Sequence, residues 1–463
     1  MFGPTHKTNR WRELRQLLSL SASLGAVQVG YHLTGFVDTA LAGRTGGEIL
    51  AATGLGAAIL FAFSALGIGT IMGLDPIIAQ NIGAGRHDRA HCAMWQGIWA
   101  SVLVTLPLTL ILVVVGDNLT AFGITPSLAG RTEDYLLARL PSILPMLLSL
   151  AMRSYLQAKH HTRAIIFSVV GLNVVNLIAD WILLFGDEGL VKVGLPPVGL
   201  PSFGVMGVGW SSALATMAQT LTLAIAVRMT RQPQAQRSRH VNSEILWRIF
   251  VVGAPLGLQL GAEVGVFAAV GVLMGGMGTT VMAAHQIALQ FASMTFAVVL
   301  GVGSATSVQV GRAIGCGDLK ATRRAGFFGL TVGASFMSMT AALMWLLPTE
   351  LATLMTSDSE VIPGAARLLV VAGVFQVADG VQAVGSGALR GAGVTRWSLA
   401  ANLVGHWLVG APIGLALAYG FHLGPIGLWW GLTAGLGTVA ISLTAKFVHL
   451  SRHPIALVDG HRG

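Results

Sequence analysis

Long apolar stretches dominate the hydrophobic pattern of the chain, and short polar stretches separate them. Ile98–Val115 and Leu330–Leu347, for example, are apolar almost throughout. A run of about 18 apolar residues is long enough to cross about 30 Å of hydrocarbon as a helix. A membrane β-barrel would instead show segments of about ten residues with alternating polarity, which this sequence lacks. The pattern therefore predicts an all-α membrane protein.

The apolar stretches predict twelve transmembrane helices. Their expected positions are residues 14–41, 50–74, 93–115, 133–157, 163–186, 205–228, 245–274, 281–305, 323–347, 362–388, 396–419 and 425–449. The first stretch follows several basic residues, so a cleaved signal peptide is an alternative. It runs on to Leu41 without an obvious cleavage site, and we expect it to be retained as the first span.

Composition agrees with a membrane location. Hydrophobic residues make up 54% of the chain and charged residues only 10%, whereas a soluble domain carries about 25% charge. Cys92 and Cys316 are the only cysteines, which excludes a disulfide scaffold. The net charge of +9 could suggest nucleic acid as a partner. In a membrane protein, however, basic residues report topology first, and we expect no nucleic-acid partner.

The distribution of basic residues predicts the orientation. With both termini in the cytoplasm, 23 of the 28 Lys and Arg residues lie at cytoplasmic ends and loops. The remaining five are Arg44, Arg131, Arg139, Lys192 and Arg367. This bias follows the positive-inside rule and indicates a multi-pass protein of the cytoplasmic, or inner, membrane.

An internal repeat predicts two halves. Ile49–Ala52 resembles Val281–Ala284, and Ile82–Gly85 resembles Ile314–Gly317, each at a displacement of 232 residues. We expect an N-terminal six-helix lobe at residues 1–230, a polar cytoplasmic linker at 231–244 and a C-terminal six-helix lobe at 245–463. An even number of spans in each half makes the two lobes parallel repeats, with substrate expected between them.

Four acidic residues lie inside predicted spans and away from the span ends. They are Asp38, Asp180, Glu263 and Asp379. Each opposes insertion by about 2.5–3.5 kcal/mol at a helix centre, so their presence calls for a function. Buried polar anchors that fix helix packing are the alternative interpretation.

Polar residues share helix faces with these acids. At 100° per residue, Asn176 falls on the side of Asp180, and Gln259 lies one turn before Glu263. The candidates for substrate binding are Tyr31, Thr34, Gln259, Gln286, Gln290, Gln376 and Gln382. A buried carboxyl group can bind a proton, and an ionised one with amide oxygens can bind sodium. The sequence is therefore compatible with either a proton or a sodium ion as the coupling ion, and no other cofactor is expected.

Other polar motifs favour structural roles. Asp75, before Pro76, is expected to have a helix-end or loop role, with an ion site as the alternative. His285 could titrate, but it is expected to be a hydrogen-bonded histidine. His160 and His161 stand in a basic loop without a third metal ligand. The sequence has no P-loop pattern, which argues against a built-in ATPase.

Several motifs, in this order and spacing, resemble the multidrug and toxic compound extrusion (MATE) family over nearly the whole chain. They are Phe36-Val37-Asp38-Thr39, Ala79-Gln80 with Ile82–Gly85, Asn176 with Asp180, Pro255 with Glu263, Ala283-Ala284-His285-Gln286, Phe375-Gln376 with Asp379 and Gln382, and Leu389-Arg390-Gly391. The second-half motifs are similar to the NorM-type branch.

The resemblance implies two six-helix lobes and cation-coupled export of cationic, amphipathic compounds by alternating access. In NorM-like members the acids that match Glu263 and Asp379 contribute to a cation site, which could be a sodium site here. Elsewhere in the family, the residues that match Asp38, Asn176 and Asp180 form a protonation-linked network. The family proline of the first span is replaced by Ser23, so a proline-hinged bend of that helix is in doubt.

Three alternatives to drug export follow from the sequence. A flippase for lipid-linked precursors would favour an arginine-rich cavity, whereas most basic residues here occupy loop ends. A membrane enzyme would need a nucleophile or a metal constellation near the interface, and none is evident, so no enzymatic activity is expected. A scaffold would leave the four acids unexplained. The expected partners are small organic cations and membrane lipid, with no obligate protein partner and a monomeric state.

Overall fold

The computed structural model describes residues 10–194, 196–230 and 240–459. This described part of the chain consists of helices and connecting turns and has no β-strand. The predicted linker falls largely on residues 231–239, which lie outside it.

Long helices account for eleven of the twelve predicted spans, all except residues 396–419. They are α1 (Arg10–Gly43), α2 (Gly47–Met72), α4 (His87–Asp117), α5 (Pro126–Arg139), α6 (Ile143–Ala158), α7 (Thr162–Phe185), α9 (Gly204–Met229), α10 (Ser243–Gly276), α11 (Thr279–Gly315), α12 (Leu319–Leu346), α14 (Val361–Gly391) and α17 (Pro425–Leu450). Shorter helices complete the described fold: α3 (Leu74–Gly83), α8 (Asp187–Lys192), α13 (Pro348–Met355), α15 (Thr395–Asn402) and α16 (Ala411–Leu415).

Eleven segments of the described chain are long and apolar enough to cross a membrane. The segment Pro126–Ala158 joins α5 to α6, and Thr395–Gly420 joins α15 to α16. The predicted first span corresponds to α1, which is 34 residues long. It is not among the eleven because Gln28, Tyr31 and His32 lower its hydropathy. With α1, the structure places one helix or helix pair at each of the twelve predicted spans.

The segment after α15 departs from regular α-helix. Leu403–Gly410 and Ala416–Gly420 are π-helical. Glycines bring this segment very close to α17: a Cβ on Gly410 would lie 2.9 Å from the carbonyl oxygen of Gly431. Because π-helical turns are rare and frequently mark functional sites, this segment is a candidate for one.

Contacts divide the described residues into two compact units. One contains those within Val29–Leu74 and His87–Gly261, and the other contains those within Met1–Gln28, Asp75–Arg86 and Ala262–Gly463. Each unit therefore combines separate chain segments, and α1 and α10 each contribute one end to each unit. The division into lobes at residues 1–230 and 245–463 stays a prediction.

Close glycine contacts within each unit follow the internal repeat. In the second unit, Gly301 of α11 is so close to Gly25 of α1 that a Cβ would overlap the Gly25 backbone. In the first unit, Gly69 of α2 is equally close to Gly257 of α10. The positions are equivalent, since 232 residues separate Gly25 from Gly257 and Gly69 from Gly301. The repeat seen in the sequence thus recurs in the helix packing.

Candidate functional site

Asp38 is held by side chains from two other helices of the first unit. Its Oδ1 accepts a hydrogen bond from Nδ2 of Asn176 on α7 at 2.9 Å. Its Oδ2 accepts one from the Ser212 hydroxyl on α9, also at 2.9 Å. The Asp38 residue is only 6% exposed. Both of its carboxyl oxygens therefore have neutral donors inside the protein.

Asp180 lies beside Asp38 and is fully buried. Ser211 on α9 donates a hydrogen bond to its Oδ1. Its Oδ2 has no hydrogen-bond partner among the described residues. Arg139 is close enough for an electrostatic interaction with Asp180. We call Asp38, Asn176, Asp180, Ser211 and Ser212 the N-unit carboxyl cluster.

Small residues on α9 allow this cluster to form. A Cβ on Gly207 would lie 2.7 Å from the Leu183 carbonyl oxygen of α7, so only glycine lets the two helices come so close. On α1, Gly30 has the same role against Val169 of α7. These close approaches bring the acids of α1 and α7 to the α9 serines.

A second pair of acids occupies the other unit. Asp379 on α14 is 5% exposed, and Glu263 on α10 is partly exposed. The two carboxyl groups interact electrostatically, and the Gln382 side chain hydrogen-bonds to Glu263. The Gln382 Oε1 atom has no hydrogen-bond partner in the described part of the chain. The structure thus brings together two predicted acids and one predicted amide.

Tyr31 and Thr34, both predicted to bind substrate, are partly buried on α1. The Tyr31 hydroxyl accepts a hydrogen bond from Nε2 of Gln219 at 2.7 Å, and the Arg153 guanidinium lies 5.9 Å from its ring centroid. Thr34 donates to Oδ1 of Asn173 at 3.1 Å. These partners place both residues in a polar region of α1, α7 and α9.

The predicted glutamines differ in their environments. Gln376 is fully buried, and its Oε1 accepts a hydrogen bond from Thr295 at 2.6 Å while its Nε2 donates to the Met344 sulfur at 3.0 Å. Gln259 is buried one turn before Glu263 on α10. Gln286 and Gln290 are exposed on α11. The structure gives Gln376 packing partners and leaves the two α11 amides accessible.

The structural roles expected for two other residues are confirmed. Asp75 lies in the first turn of α3 and forms an ion pair with Arg390 at 3.4 Å. Nδ1 of His285 accepts a hydrogen bond from the Trp429 indole at 3.2 Å. No group of three or more His, Cys, Asp or Glu side chains suited to a metal ion occurs within residues 10–194, 196–230 and 240–459.

Sequence reasoning missed Ser211 and Ser212. Serine is frequent in membrane helices because it is small and can hydrogen-bond its own backbone, so two adjacent serines in an apolar run give no distinctive signal. The two serines become hydrogen-bond donors to the acids only because α7 and α9 pack together in the fold.

The model of the MatE family matches residues 24–182 and again residues 255–415. The chain belongs to the MatE family, that of the MATE transporters. The two matched segments lie at the spacing of the internal repeat and contain all five residues predicted for cation coupling.

Relatives of similar length support this membership. The multidrug resistance protein NorM of Aliivibrio fischeri is 30% identical over 452 residues, which cover 96% of each chain. The protein of the same name from Burkholderia vietnamiensis is 34% identical over 443 residues, or 92% of each chain. The predicted likeness to the NorM-type branch is therefore confirmed.

Solved structures of MATE transporters share the fold. A eukaryotic MATE transporter superposes with a TM-score of 0.83 at 20% identity, covering 96% of this chain and 100% of that chain. A Vibrio cholerae MATE transporter in its bent form also gives 0.83, at 19% identity, covering 96% and 98%. The predicted all-α, multi-pass membrane fold is confirmed. The prediction of a transporter rather than an enzyme is confirmed by the family match and the NorM relatives.

Proposed function

We propose that this MATE transporter exports cationic, amphipathic organic compounds across the inner membrane in exchange for an inward-moving cation. The observation that carries the proposal is the N-unit carboxyl cluster, in which two buried acids lie side by side. NorM relatives are named multidrug resistance proteins, which supports drugs or other toxic organic compounds as substrates. The distribution of Lys and Arg supports cytoplasmic termini.

Burial gives the acids of the cluster two competing ligands. A carboxylate removed from water attracts a proton or a cationic compound more strongly than an exposed one. If one state of the transporter prefers the ion and the other state prefers the compound, binding of either ligand favours release of the other. Different affinities of the two states for these ligands are what coupling requires. A proton that enters down 100 mV supplies about 2.3 kcal/mol from the voltage alone.

The two pairs of acids differ in what they offer a coupling ion. Both oxygens of Asp38 already accept hydrogen bonds from neutral donors, so fewer oxygen lone pairs are left there for a metal cation. Beside Glu263 and Asp379, the carbonyl oxygen of Gln382 is without a hydrogen-bond partner among described residues. Sodium prefers such oxygen ligands, so this pair suits either Na⁺ or H⁺.

Substrate recognition is assigned to the polar residues near these acids. Tyr31 and Thr34 on α1 would contact the compound in one unit, and the exposed Gln286 and Gln290 in the other. Gln259 and Gln382 adjoin Glu263, whereas the packing of Gln376 suits support of the site. The transporter acts as a monomer without a cofactor other than the coupling ion.

The test is efflux from proteoliposomes under imposed gradients. Purified protein is reconstituted into liposomes, which are loaded with a fluorescent organic cation such as ethidium. A proton gradient and a sodium gradient are then imposed in separate experiments. Asp38→Asn and Asp379→Asn should each reduce gradient-driven efflux, and the ion whose gradient drives the wild type is the coupling ion. Asp117→Asn is the matched control, since Asp117 is exposed at the end of α4. Full efflux by both Asp38→Asn and Asp379→Asn would refute the carboxylate mechanism.

A further inference from the structure

A cavity of about 170 Å³ opens inside the unit that contains Glu263. Its walls come from α10, from the π-helical segment with α16, and from α17. The apolar side chains that line it include Val266, Val270, Leu428 and Leu432. An apolar cavity of about 150 Å³ accommodates one benzene molecule, so this one has room for a single six-membered ring.

His406 is the polar residue of the cavity wall. It belongs to the π-helical segment Leu403–Gly410 and is 1% exposed. Neither Nδ1 nor Nε2 has a hydrogen-bond partner in the part of the chain that the structure describes. Leaving such a buried group unpaired is unfavourable, so a guest with a hydrogen-bonding group would gain affinity by pairing with it.

Trp407, the next residue, holds the π-helical wall of the cavity against α10. Its indole donates a hydrogen bond to the Ala262 carbonyl oxygen at 3.2 Å. A Cβ on Gly265 would lie 3.4 Å from its ring, so the indole rests closely on this turn of the helix. The cavity wall is thereby positioned beside the turn that carries Glu263.

Glu263 and the cavity share one side of α10. Residues three and seven positions after Glu263 are Val266 and Val270, which lie on the same helix face and line the cavity. The rise from residue 263 to residue 270 is roughly 10 Å. A molecule with a ring in the cavity and an amine a few bonds away can therefore approach the Glu263 carboxylate.

We propose that this cavity binds one aromatic ring of the transported cation, with a ring hydroxyl or amino group hydrogen-bonded to His406. That the bound molecule is a transport substrate rests on the proposed function. The ligands expected in the cavity are ring-bearing amines with a polar ring substituent. A lipid acyl chain, the other plausible occupant of an apolar cavity, offers nothing to His406.

The experiment uses the full chain in lipid nanodiscs with two probes that differ by one hydroxyl. Binding of radiolabelled tyramine and phenethylamine is measured by equilibrium dialysis. The wild type should bind both at one saturable site and prefer tyramine by roughly fivefold, the effect of one buried hydrogen bond. His406→Leu should abolish the preference, while His406→Gln, which keeps a donor and an acceptor, should retain part of it.

Adjacent alanines provide a matched pair for blocking the cavity. Ala268 and Ala269 are both exposed on α10, but only Ala269 lines the cavity. Ala269→Phe should weaken binding of both probes by roughly tenfold or more, since the new ring occupies the cavity, and Ala268→Phe should leave it within about twofold. Ala269→Leu serves if Ala269→Phe does not yield a monodisperse protein.

Three results would overturn the assignment. They are the absence of saturable binding of either amine, an unchanged tyramine preference in His406→Leu, and equal effects of phenylalanine at positions 268 and 269. The first is also the result expected if lipid fills the cavity. Failure of the wild type to export any organic cation in proteoliposomes would instead refute the proposed function and leave the binding result standing.

Discussion

The Ser212 hydroxyl donates a hydrogen bond to Oδ2 of Asp38 across 2.9 Å, from a helix more than 170 positions later in the chain. Asn176, on a third helix, donates to the other oxygen of the same carboxyl group. The position of the Asp38 carboxyl group is thereby tied to the packing of α1 against α7 and α9.

Replacing Ser212 with alanine should weaken ion coupling without eliminating it. Hydrogen bonds to charged groups contribute about 1.5–3 kcal/mol, and Asp38 retains its bond from Asn176. We expect Ser212→Ala to slow gradient-driven efflux by roughly tenfold, less than Asp38→Asn. The measurement is the initial rate in proteoliposomes across a range of driving pH values.

Ser127→Ala is the control for this change, because Ser127 is exposed at the start of α5. Equal rates for Ser212→Ala and the control would show that the hydrogen bond to Asp38 does not contribute to coupling.

Alanine at Gly301 should destabilise the protein. A Cβ there would overlap the Gly25 backbone, and overpacking of this kind costs about 1–3 kcal/mol. Gly69→Ala should have a similar effect, because Gly69 meets Gly257 in the equivalent contact. Thermal stability in detergent, followed by size-exclusion chromatography, measures both.

Gly271→Ala is the matched control, since a Cβ at that position would have no described atom beyond its own stretch of α10 within 4 Å. Alanine favours helix over glycine by about 1 kcal/mol, so the control should be neutral or stabilised. A stable Gly301→Ala together with an unstable Gly69→Ala would contradict the equivalence of the two contacts.

Substitutions at Gln376 and Gln290 should distinguish a residue that supports packing from one that is accessible to substrate. Gln376→Leu removes one acceptor of the Thr295 hydroxyl, which can still donate to the Ala292 carbonyl oxygen, and should lower stability by about 0.5–1.5 kcal/mol. Gln290 is exposed, so Gln290→Ala should change stability by less than about 0.5 kcal/mol. Thermal unfolding and the affinity for ethidium are measured for both variants. Undiminished stability of Gln376→Leu would show that its hydrogen bonds do not support the fold.

Asp187 should make the loop before α9 sensitive to acid. The backbone N–H groups of Val198, Leu200 and Gly199 donate to its carboxylate and hold the pKa of Asp187 below its ordinary value. This interaction is present above the ordinary aspartate pKa of about 3.9 and is lost as pH falls through the lowered folded-state pKa. Protection of these amides from hydrogen exchange, corrected for intrinsic rates, should hold at pH 5 and decrease below about pH 4.

Asp187→Ala should lack that protection at every pH, whereas Asp117→Asn should behave as the wild type. Equal protection in Asp187→Ala at pH 7 would show that the carboxylate does not order the loop.

Hydropathy predicted where helices cross the membrane but not how far they extend. The third span was expected at residues 93–115, whereas α4 begins at His87. His87, Asp88 and Arg89 are polar because that end of the helix meets water, and an apolar pattern cannot identify it. Similarly, α11 continues to Gly315, ten residues beyond the predicted end of its span.

The acids of the site could be predicted because a charge in an apolar run stands out. Asp38, Asp180, Glu263 and Asp379 were each found in this way. Two of their partners, Asn176 and Gln382, were predicted as well, since amides near an acid in an apolar run also stand out. Ser211 and Ser212 could not be predicted, because they are ordinary residues until α9 is packed against α1 and α7. His406 gave no signal either, because one histidine in an apolar run does not reveal a cavity or a π-helical turn.

The two glycine contacts have a consequence for how such a chain could arise. The first half of α10 belongs to the unit built mainly from the first repeat, and the first half of α1 to the unit built mainly from the second. A polypeptide with a single repeat would therefore have a leading half-helix without its glycine partner. Two identical copies would complete each other by exchanging that half-helix, which is domain swapping. Fusion of two such copies would make the exchange intramolecular and give the arrangement seen here.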